Sequence, residues 1–92
     1  MAIVLLRANV AYPGKCLEEL KMGESRLKEA GMLAGSTAVS ADSHNVVYFM
    51  LTWQSVASAR QFWGSLDGKK IVEKLRSVEK PEVLILEDAK DI

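Results

Sequence analysis

Residues 3–11 predict a β-strand, in which successive side chains lie on opposite faces. One face is wholly apolar and consists of Val4, Leu6, Ala8 and Val10. The other face starts with Ile3 and Leu5 and then carries Arg7 and Asn9 side by side. Because both faces begin with apolar residues, we expect both to be covered in the folded protein.

A helical period replaces this alternation after Tyr12-Pro13-Gly14, which ends the strand. Over residues 15–30 the apolar positions recur at spacings of three and four, and they predict one helix. These positions are Cys16, Leu20, Gly23, Leu27 and Ala30. Gly23 on this stripe predicts a close approach to a sheet, and Gly31 suits the C′ position in the αL conformation that often ends a helix.

Two strands are predicted in the middle of the chain. Residues 32–40 give the weaker pattern, with Gly35 as a candidate bulge. Residues 46–53 give the strongest strand pattern in the sequence. The short polar turn over residues 41–45 predicts that the two strands pair as a hairpin.

The last third of the chain predicts helices and a final strand. Ser55 suits the N-cap of a helix over residues 56–65, and a shorter helical pattern follows before Pro81. Residues 82–87 predict the last strand, and residues 87–92 form a polar tail. The predicted order β-α-β-β-α-β is that of the α+β ferredoxin-like fold, a four-stranded antiparallel sheet with helices on one face.

This fold leaves the second face of the sheet without helices, although its strands are apolar on both faces. A bare apolar face is unfavourable in water, and a second copy of the chain is its simplest cover, so we expect a homodimer. Residues 1–92 are expected to form a single domain, since 92 residues leave no room for another. We expect any small-molecule ligand to lie between elements or between subunits.

Composition and charge narrow the classes of partner. The chain is 49% hydrophobic and 26% charged, and its 12 basic and 12 acidic residues give a net charge of zero. This balance argues against nucleic acid or an anionic membrane as the main partner. The apolar start is too short for a secretory signal, and no apolar run is long enough to span a bilayer, so we expect a cytoplasmic protein. Its single cysteine permits no intrachain disulfide and argues against an ordinary zinc site.

A family resemblance appears in the second half of the chain. Thr52-Trp53-Gln54-Ser55 leads into a helix with Ala57, Ala59 and Phe62-Trp63, followed by Ser65-Leu66-Asp67-Gly68-Lys69-Lys70. This stretch resembles the dimeric α+β barrel superfamily and, within it, the antibiotic-biosynthesis-monooxygenase-like group. The order of elements matches over nearly the whole chain, and the motif over residues 52–70. The resemblance implies two sheets packed face to face in a homodimer, with a small-molecule pocket between sheet and helices or at the barrel mouth.

The resemblance also implies a range of chemistry. The group includes cofactor-independent oxygenases that act on quinol-like or polyketide aromatics, while relatives degrade heme or isomerise lactones, so fold alone leaves the reaction open. Heme-degrading relatives ligate iron with a histidine on or after the second helix, and residues 61–78 contain none. His44 lies in a polar turn, where we expect it to be exposed. We therefore expect no cofactor.

Arg7 and Asn9 are the candidate catalytic residues. They lie about 7 Å apart on one face of the first strand. A guanidinium and an amide together can stabilise a substrate oxygen, such as that of a phenolate or an enolate, in a dry pocket. In the alternative interpretation both side chains lie at the barrel rim and pair with the partner subunit or with water.

Four aromatic residues are candidates for substrate binding. Flat molecules stack well on rings such as those of Trp53, Phe62 and Trp63, although aromatic residues at helical spacing also form ordinary cores. Tyr48 faces away from Phe49, where its hydroxyl can act as a general acid or a hydrogen-bond donor, or simply be half-buried. Cys16 begins a helix, whose dipole can lower a thiol pKa, but a small core residue is the other interpretation.

Three classes of function follow. The first is a cofactor-independent monooxygenase-like enzyme acting on a small flat molecule. The second is a non-catalytic small-molecule-binding or regulatory protein with the same barrel, which the scarcity of acid–base side chains favours. The third is an RNA-binding domain with the same order of elements, which is disfavoured because the first strand lacks aromatic residues before Tyr12 and the net charge is zero.

Overall fold

Eight elements follow one another along residues 1–87, which are the residues that this computed structural model describes. Most of the predicted polar tail, residues 88–92, lies outside the described residues. The strands are β1 (Ala2–Asn9), β2 (Met32–Val39), β3 (Val46–Trp53) and β4 (Glu82–Glu87). The helices are α1 (Pro13–Met22), α2 (Glu24–Ala30), α3 (Val56–Trp63) and α4 (Leu66–Lys74).

The four strands form one antiparallel sheet in the order β2-β3-β1-β4. Strand β1 is central, and it pairs with β3 on one side and with β4 on the other. The predicted α+β ferredoxin-like arrangement is therefore confirmed.

The alternation along the two central strands separates the two faces of the sheet. The residues of β1 and β3 that face the helices are at most 2% exposed, and they are Ala2, Val4, Leu6, Ala8, Val47, Phe49, Leu51 and Trp53. Each large side chain buried in this way stabilises the fold by about 1.5–3 kcal/mol. The helices complete the core mainly with Leu20, Leu27 and Trp63. We call the opposite side, which carries no helix, the open face.

The first helical region differs from its prediction because it is divided at Gly23. The N–H of Gly23 donates to the carbonyl oxygens of Glu19 and Leu20, ending α1, and α2 starts at the next residue. A Cβ at Gly23 would meet only those same two carbonyl groups, at 3.9 and 3.6 Å. The expected close approach of Gly23 to the sheet is therefore wrong, and its low helix propensity is the physical reason for the break.

Two glycines flank the start of β2. Gly31 ends α2, as expected, but its φ of +131° lies outside the predicted αL region, which is centred near about +57°. A Cβ there would lie 2.7 Å from Nε1 of Trp53. The irregularity in β2 falls between Met32 and Ala34, so the prediction of a bulge at Gly35 is wrong. Gly35 pairs regularly with Leu51.

Candidate functional site

A polar row crosses the open face at one end of the sheet. Arg7 on β1 lies directly opposite Tyr48 on β3 and directly opposite Glu82 on β4. Residues paired in this way point to the same face, so the three side chains are neighbours. We call Arg7, Tyr48 and Glu82 the polar row.

The neighbours of Arg7 in the polar row stabilise its positive charge. Its guanidinium donates a hydrogen bond to the hydroxyl of Tyr48, and this bond is the main cause that raises the pKa of Arg7 above its usual value. The carboxylates of Glu82 and Glu79 add to the increase, while partial desolvation opposes it. Arg7 is therefore a cation beside a hydroxyl group, which is what an anion-stabilising site requires.

Apolar residues occupy the rest of the open face next to the polar row. Leu5 lies between Met50 and Leu84, and Ile3 lies between Thr52 and Leu86 in the following row. Met50, Leu84 and Leu86 are 39, 45 and 43% exposed. The arrangement is a flat apolar surface with a cation and a hydroxyl at one end.

Asn9 is the last residue of β1 and lies two residues after Arg7 on the same face. Its backbone N–H donates to Oγ of Ser77 at 3.1 Å, and its carbonyl oxygen accepts from the Ser77 hydroxyl at 3.1 Å and from the Val78 N–H at 2.6 Å. The segment after α4 thus fixes the end of the strand. The amide of Asn9 is half-buried on the same face as Arg7.

The three other aromatic candidates lie together on the helix side of the sheet. Ring centroids are 5.5 Å apart for Trp53 and Phe62, 5.8 Å for Trp53 and Trp63, and 5.1 Å for Phe62 and Trp63. The buried Nε1 atoms of both tryptophans have no hydrogen-bond partner within the described residues. The predicted trio is therefore a real cluster, but the sheet separates it from Arg7, Asn9 and Tyr48. Within one chain these six residues do not line a single pocket.

Sequence reasoning missed Glu82 and the apolar residues of β4. Glu82 starts the last strand, and nothing in its local pattern indicates that it will lie beside Arg7. That proximity depends on the order of strands in the sheet. The ferredoxin-like strand order places β4 next to β1, and this order is the signal that could have placed Glu82 beside Arg7.

Cys16 is a buried wall residue of a cavity of about 510 Å³ between α1 and the end of α4. Burial raises the pKa of its thiol, and the carboxylate of Glu19 raises it further. The interpretation that the helix dipole lowers this pKa is therefore wrong, because desolvation outweighs it. His44 is exposed in the turn, as expected. Within residues 1–87, no group of three or more His, Cys, Asp or Glu side chains is arranged to hold a metal ion.

Comparison with known proteins identifies similar folds but no similar sequences. No protein-family model matches the sequence, and no curated protein matches it. The structure superposes on SnoaB, a cofactor-independent oxygenase from Streptomyces nogalater, with a TM-score of 0.78 and 12% identity over 99% of this chain and 95% of that one. The chain has the fold of the antibiotic biosynthesis monooxygenases. The expected resemblance is thereby confirmed at the level of fold.

Two other solved structures extend this result. The monooxygenase ActVA-Orf6 of Streptomyces coelicolor, in complex with nanaomycin D, has a TM-score of 0.65 and 17% identity over 99% of this chain and 89% of that one. A conserved protein from Methanosarcina mazei Go1 has a TM-score of 0.64 and 19% identity over 97% and 94% of the two chains. At such identities the likeness concerns the fold alone. None of the described helices is long and apolar enough to cross a bilayer.

Proposed function

We propose that the protein is a cofactor-independent oxygenase acting on a small, flat, quinol- or polyketide-like molecule. The observation that carries this proposal is the position of Arg7 directly opposite Tyr48 at the end of an apolar surface. The fold shared with the oxygenase SnoaB supports it. Catalysis then rests on positioning and on stabilisation of negative charge.

The proposed reaction starts from a ring CH₂ that is conjugated with a carbonyl group across the same ring, as in an anthrone. Loss of one proton gives an enolate whose oxygen lies against the guanidinium of Arg7, with the hydroxyl of Tyr48 beside it. The electron-rich carbon then reduces O₂. One oxygen atom becomes the new carbonyl group, and the other leaves as water with the two hydrogens of the CH₂. No electrons beyond those of the substrate are needed.

Asn9 is proposed as a second polar group at this site, because it extends the same face of β1 beyond Arg7. Its amide can donate to one substrate oxygen and accept from another. The substrate's body would lie on Leu5 and Met50. The rings of Trp53, Phe62 and Trp63 lie on the opposite side of the sheet, among the helices. A substrate on the open face would not reach them, so the prediction that they bind a ligand is separate from this proposal.

We further propose that two copies pack through their open faces. Leu84 and Leu86 leave an apolar surface in water that a second copy would cover. The polar row contains both a cation and a carboxylate, so a two-fold arrangement can pair Arg7 of each copy with Glu82 of the other. A homodimer formed in this way would also exclude water from the proposed site, which strengthens charge stabilisation there.

Oxygen consumption by the purified protein tests the proposed function. The substrates are two anthrones with different ring substituents, with no flavin or metal added, and products are identified by mass spectrometry. We expect saturable oxygen uptake matched by formation of the oxidised ring. Binding of these molecules without any product would instead support the non-catalytic binding protein, and neither uptake nor binding would contradict both functions.

A further inference from the structure

A groove runs along the outer surface of the helical layer, between α1 and α4. Two cavities of about 330 and 510 Å³ lie along it. They share the lining residues Glu19, Met22, Lys74 and Leu75, so they are two parts of one groove. We call it the helical groove. Its long walls are helices, and it lies on the side of the molecule opposite the open face.

The floor of the helical groove is apolar. Leu20, Leu27 and Leu75 form it from the core, where they are 8, 1 and 3% exposed, and Ile71 is half-buried beside them. Met22 at the rim is 82% exposed, more than any other large apolar side chain within residues 1–87. An apolar floor with an exposed apolar rim is a surface that a partner can bury.

The break in the first helical region helps to keep the groove open. Gly23 lines it, and a Cβ there would meet only the carbonyl oxygens of Leu20 and Glu19, at 3.6 and 3.9 Å. The space above Gly23 is therefore unoccupied by side chains. At one end of the groove, Nη2 of Arg26 lies 2.6 Å from Oδ1 of Asp67, and this ion pair bridges α2 and α4.

The charged residues along the groove are unequally divided. Apart from the ion pair at its end, the lining contains more cations than anions, and none of these groups has an ion-pair partner within residues 1–87. The cations are Lys15, Lys70, Lys74 and Arg76, and the anions are Glu18 and Glu19. Three of the four cations lie on α4 or directly after it, so the wall formed by α4 is basic and attracts an acidic partner.

The dimensions of the groove suit one α-helix. Helix α1 has ten residues and is about 15 Å long, which corresponds to about three helical turns. A groove between two neighbouring helices is also where the ridge of side chains on a third helix packs. An occupant of this shape buries apolar residues against the floor and leaves its polar side in water.

A second copy of the chain is a less suitable occupant than a helix from another protein. In the proposed homodimer, each copy already contacts its partner through the open face. A further contact between copies on the opposite side of each subunit would link dimers into open-ended chains. A helix from another protein produces no such chains, and it leaves the open face free.

We propose that the helical groove binds an acidic amphipathic helix of another protein. The apolar stripe of that helix, at spacings of three and four residues, covers Leu20, Ile71 and Met22. Its carboxylates lie against Lys70 and Lys74 on the basic wall. This is recognition of a helix in a groove, in which apolar anchors provide affinity and flanking charges provide orientation.

A synthetic peptide of about 15 residues tests this proposal. It is capped at both ends and has leucines along one helical stripe, with glutamates and alanines elsewhere. Fluorescence anisotropy measures its affinity for the full chain, and methyl NMR locates it. We expect saturable binding that shifts the methyl signals of Leu20, Met22 and Ile71. A peptide with lysine in place of every glutamate is expected to bind at least tenfold more weakly.

Charge reversal on α4 tests the basic wall. The double substitution Lys70→Glu and Lys74→Glu is expected to weaken binding of the acidic peptide at least tenfold. The control is Lys69→Glu combined with Arg60→Glu, which makes the same change in net charge at exposed residues outside the lining of the groove. This control is expected to weaken binding less than threefold.

The apolar rim is tested by Met22→Ala, which is expected to weaken peptide binding at least threefold. Leu66→Ala is the matched control, because Leu66 is 75% exposed on α4 and does not line the groove. All of these substitutions change exposed side chains, and circular dichroism confirms that the variants fold.

The outcome is independent of the proposed oxygenase site, because Arg7→Ala is expected to leave peptide binding unchanged. Oxygen uptake without saturable peptide binding would overturn the proposal for the groove and leave the oxygenase in place. Equal affinity for the lysine peptide, equal affinity of the Lys70→Glu and Lys74→Glu protein, or shifts at Leu84 and Leu86 instead would also overturn it.

Other occupants of the groove give distinct results. Self-association of the Leu84→Lys protein with shifts at Met22 would assign the groove to a second copy and overturn the proposal. Binding of phosphatidylglycerol vesicles without binding of the acidic peptide would assign it to an anionic membrane, with the same consequence.

Discussion

Arg7 and Tyr48 lie directly opposite each other on β1 and β3, and the guanidinium of Arg7 donates a hydrogen bond to the hydroxyl of Tyr48. This bond joins two side chains that are 41 positions apart in the sequence. It places a cation and a hydroxyl beside an apolar surface. The proposed catalysis depends on this pair, because in the proposed reaction the oxygen of the enolate lies against these two groups.

Tyr48→Phe is expected to lower kcat about tenfold with little change in KM. The substitution removes the hydroxyl that orients Arg7 but keeps the ring and its packing. Steady-state oxygen uptake measures both constants. Tyr12→Phe is the matched control, since Tyr12 is 70% exposed and lies outside the polar row. Equal kinetics for Tyr48→Phe and wild type would show that the hydroxyl plays no part.

Leu84→Lys is expected to convert a dimer into monomers. The new charge would be buried at the centre of the proposed interface between open faces, where it has no partner. Sedimentation or native mass spectrometry gives the subunit count. Leu66→Lys is the control, because Leu66 is 75% exposed on α4, on the other side of the molecule. A monomeric wild type, or a dimeric Leu84→Lys protein, would contradict this interface.

The strand pattern predicted much of this architecture. Residues 46–53 and 82–87 form strands with the predicted bounds, because each is a short, largely apolar run that contains β-branched residues and follows a turn. The break at Gly23 was not predictable from periodicity, since the apolar stripe stays in phase across it.

The candidate site was predictable only in part. Arg7 and Tyr48 each stand out in the sequence, but their contact depends on the register between β1 and β3. The position of Glu82 depends on the order of the strands. In contrast, alternation along β3 alone separates Tyr48 from Trp53, since an odd spacing places them on opposite faces.

The thiol of Cys16 is expected to make stability depend on alkaline pH. Burial raises its pKa above the ordinary value of 9.0, so the folded state keeps this proton to higher pH than the unfolded state. The free energy of unfolding is therefore highest below that value and falls as the pH rises through it. Urea unfolding between pH 8 and 10 measures the slope. Cys16→Ala is expected to show a shallower decline than wild type, and an equal or steeper decline would contradict the effect of burial.

Gly31→Ala is expected to destabilise the fold by about 3 kcal/mol. The backbone at Gly31 has a φ of +131°, and the added Cβ would meet the indole of Trp53 at 2.7 Å. Urea unfolding gives the difference in free energy. Gly14→Ala, which adds the same group in open space within α1, is expected to be as stable as wild type or slightly more stable. Equal stability of Gly31→Ala and Gly14→Ala would show that Trp53 can move aside at no cost.

Oxygen uptake by Arg7→Ala, compared with Arg60→Ala, tests the central claim most directly. Arg60 is exposed on α3, so its substitution removes the same charge far from the polar row. With an anthrone as substrate, we expect Arg7→Ala to fold normally and to lose about a hundredfold in kcat, while Arg60→Ala keeps the wild-type rate. A folded Arg7→Ala protein with the wild-type rate would contradict the assignment of the open face as the catalytic site.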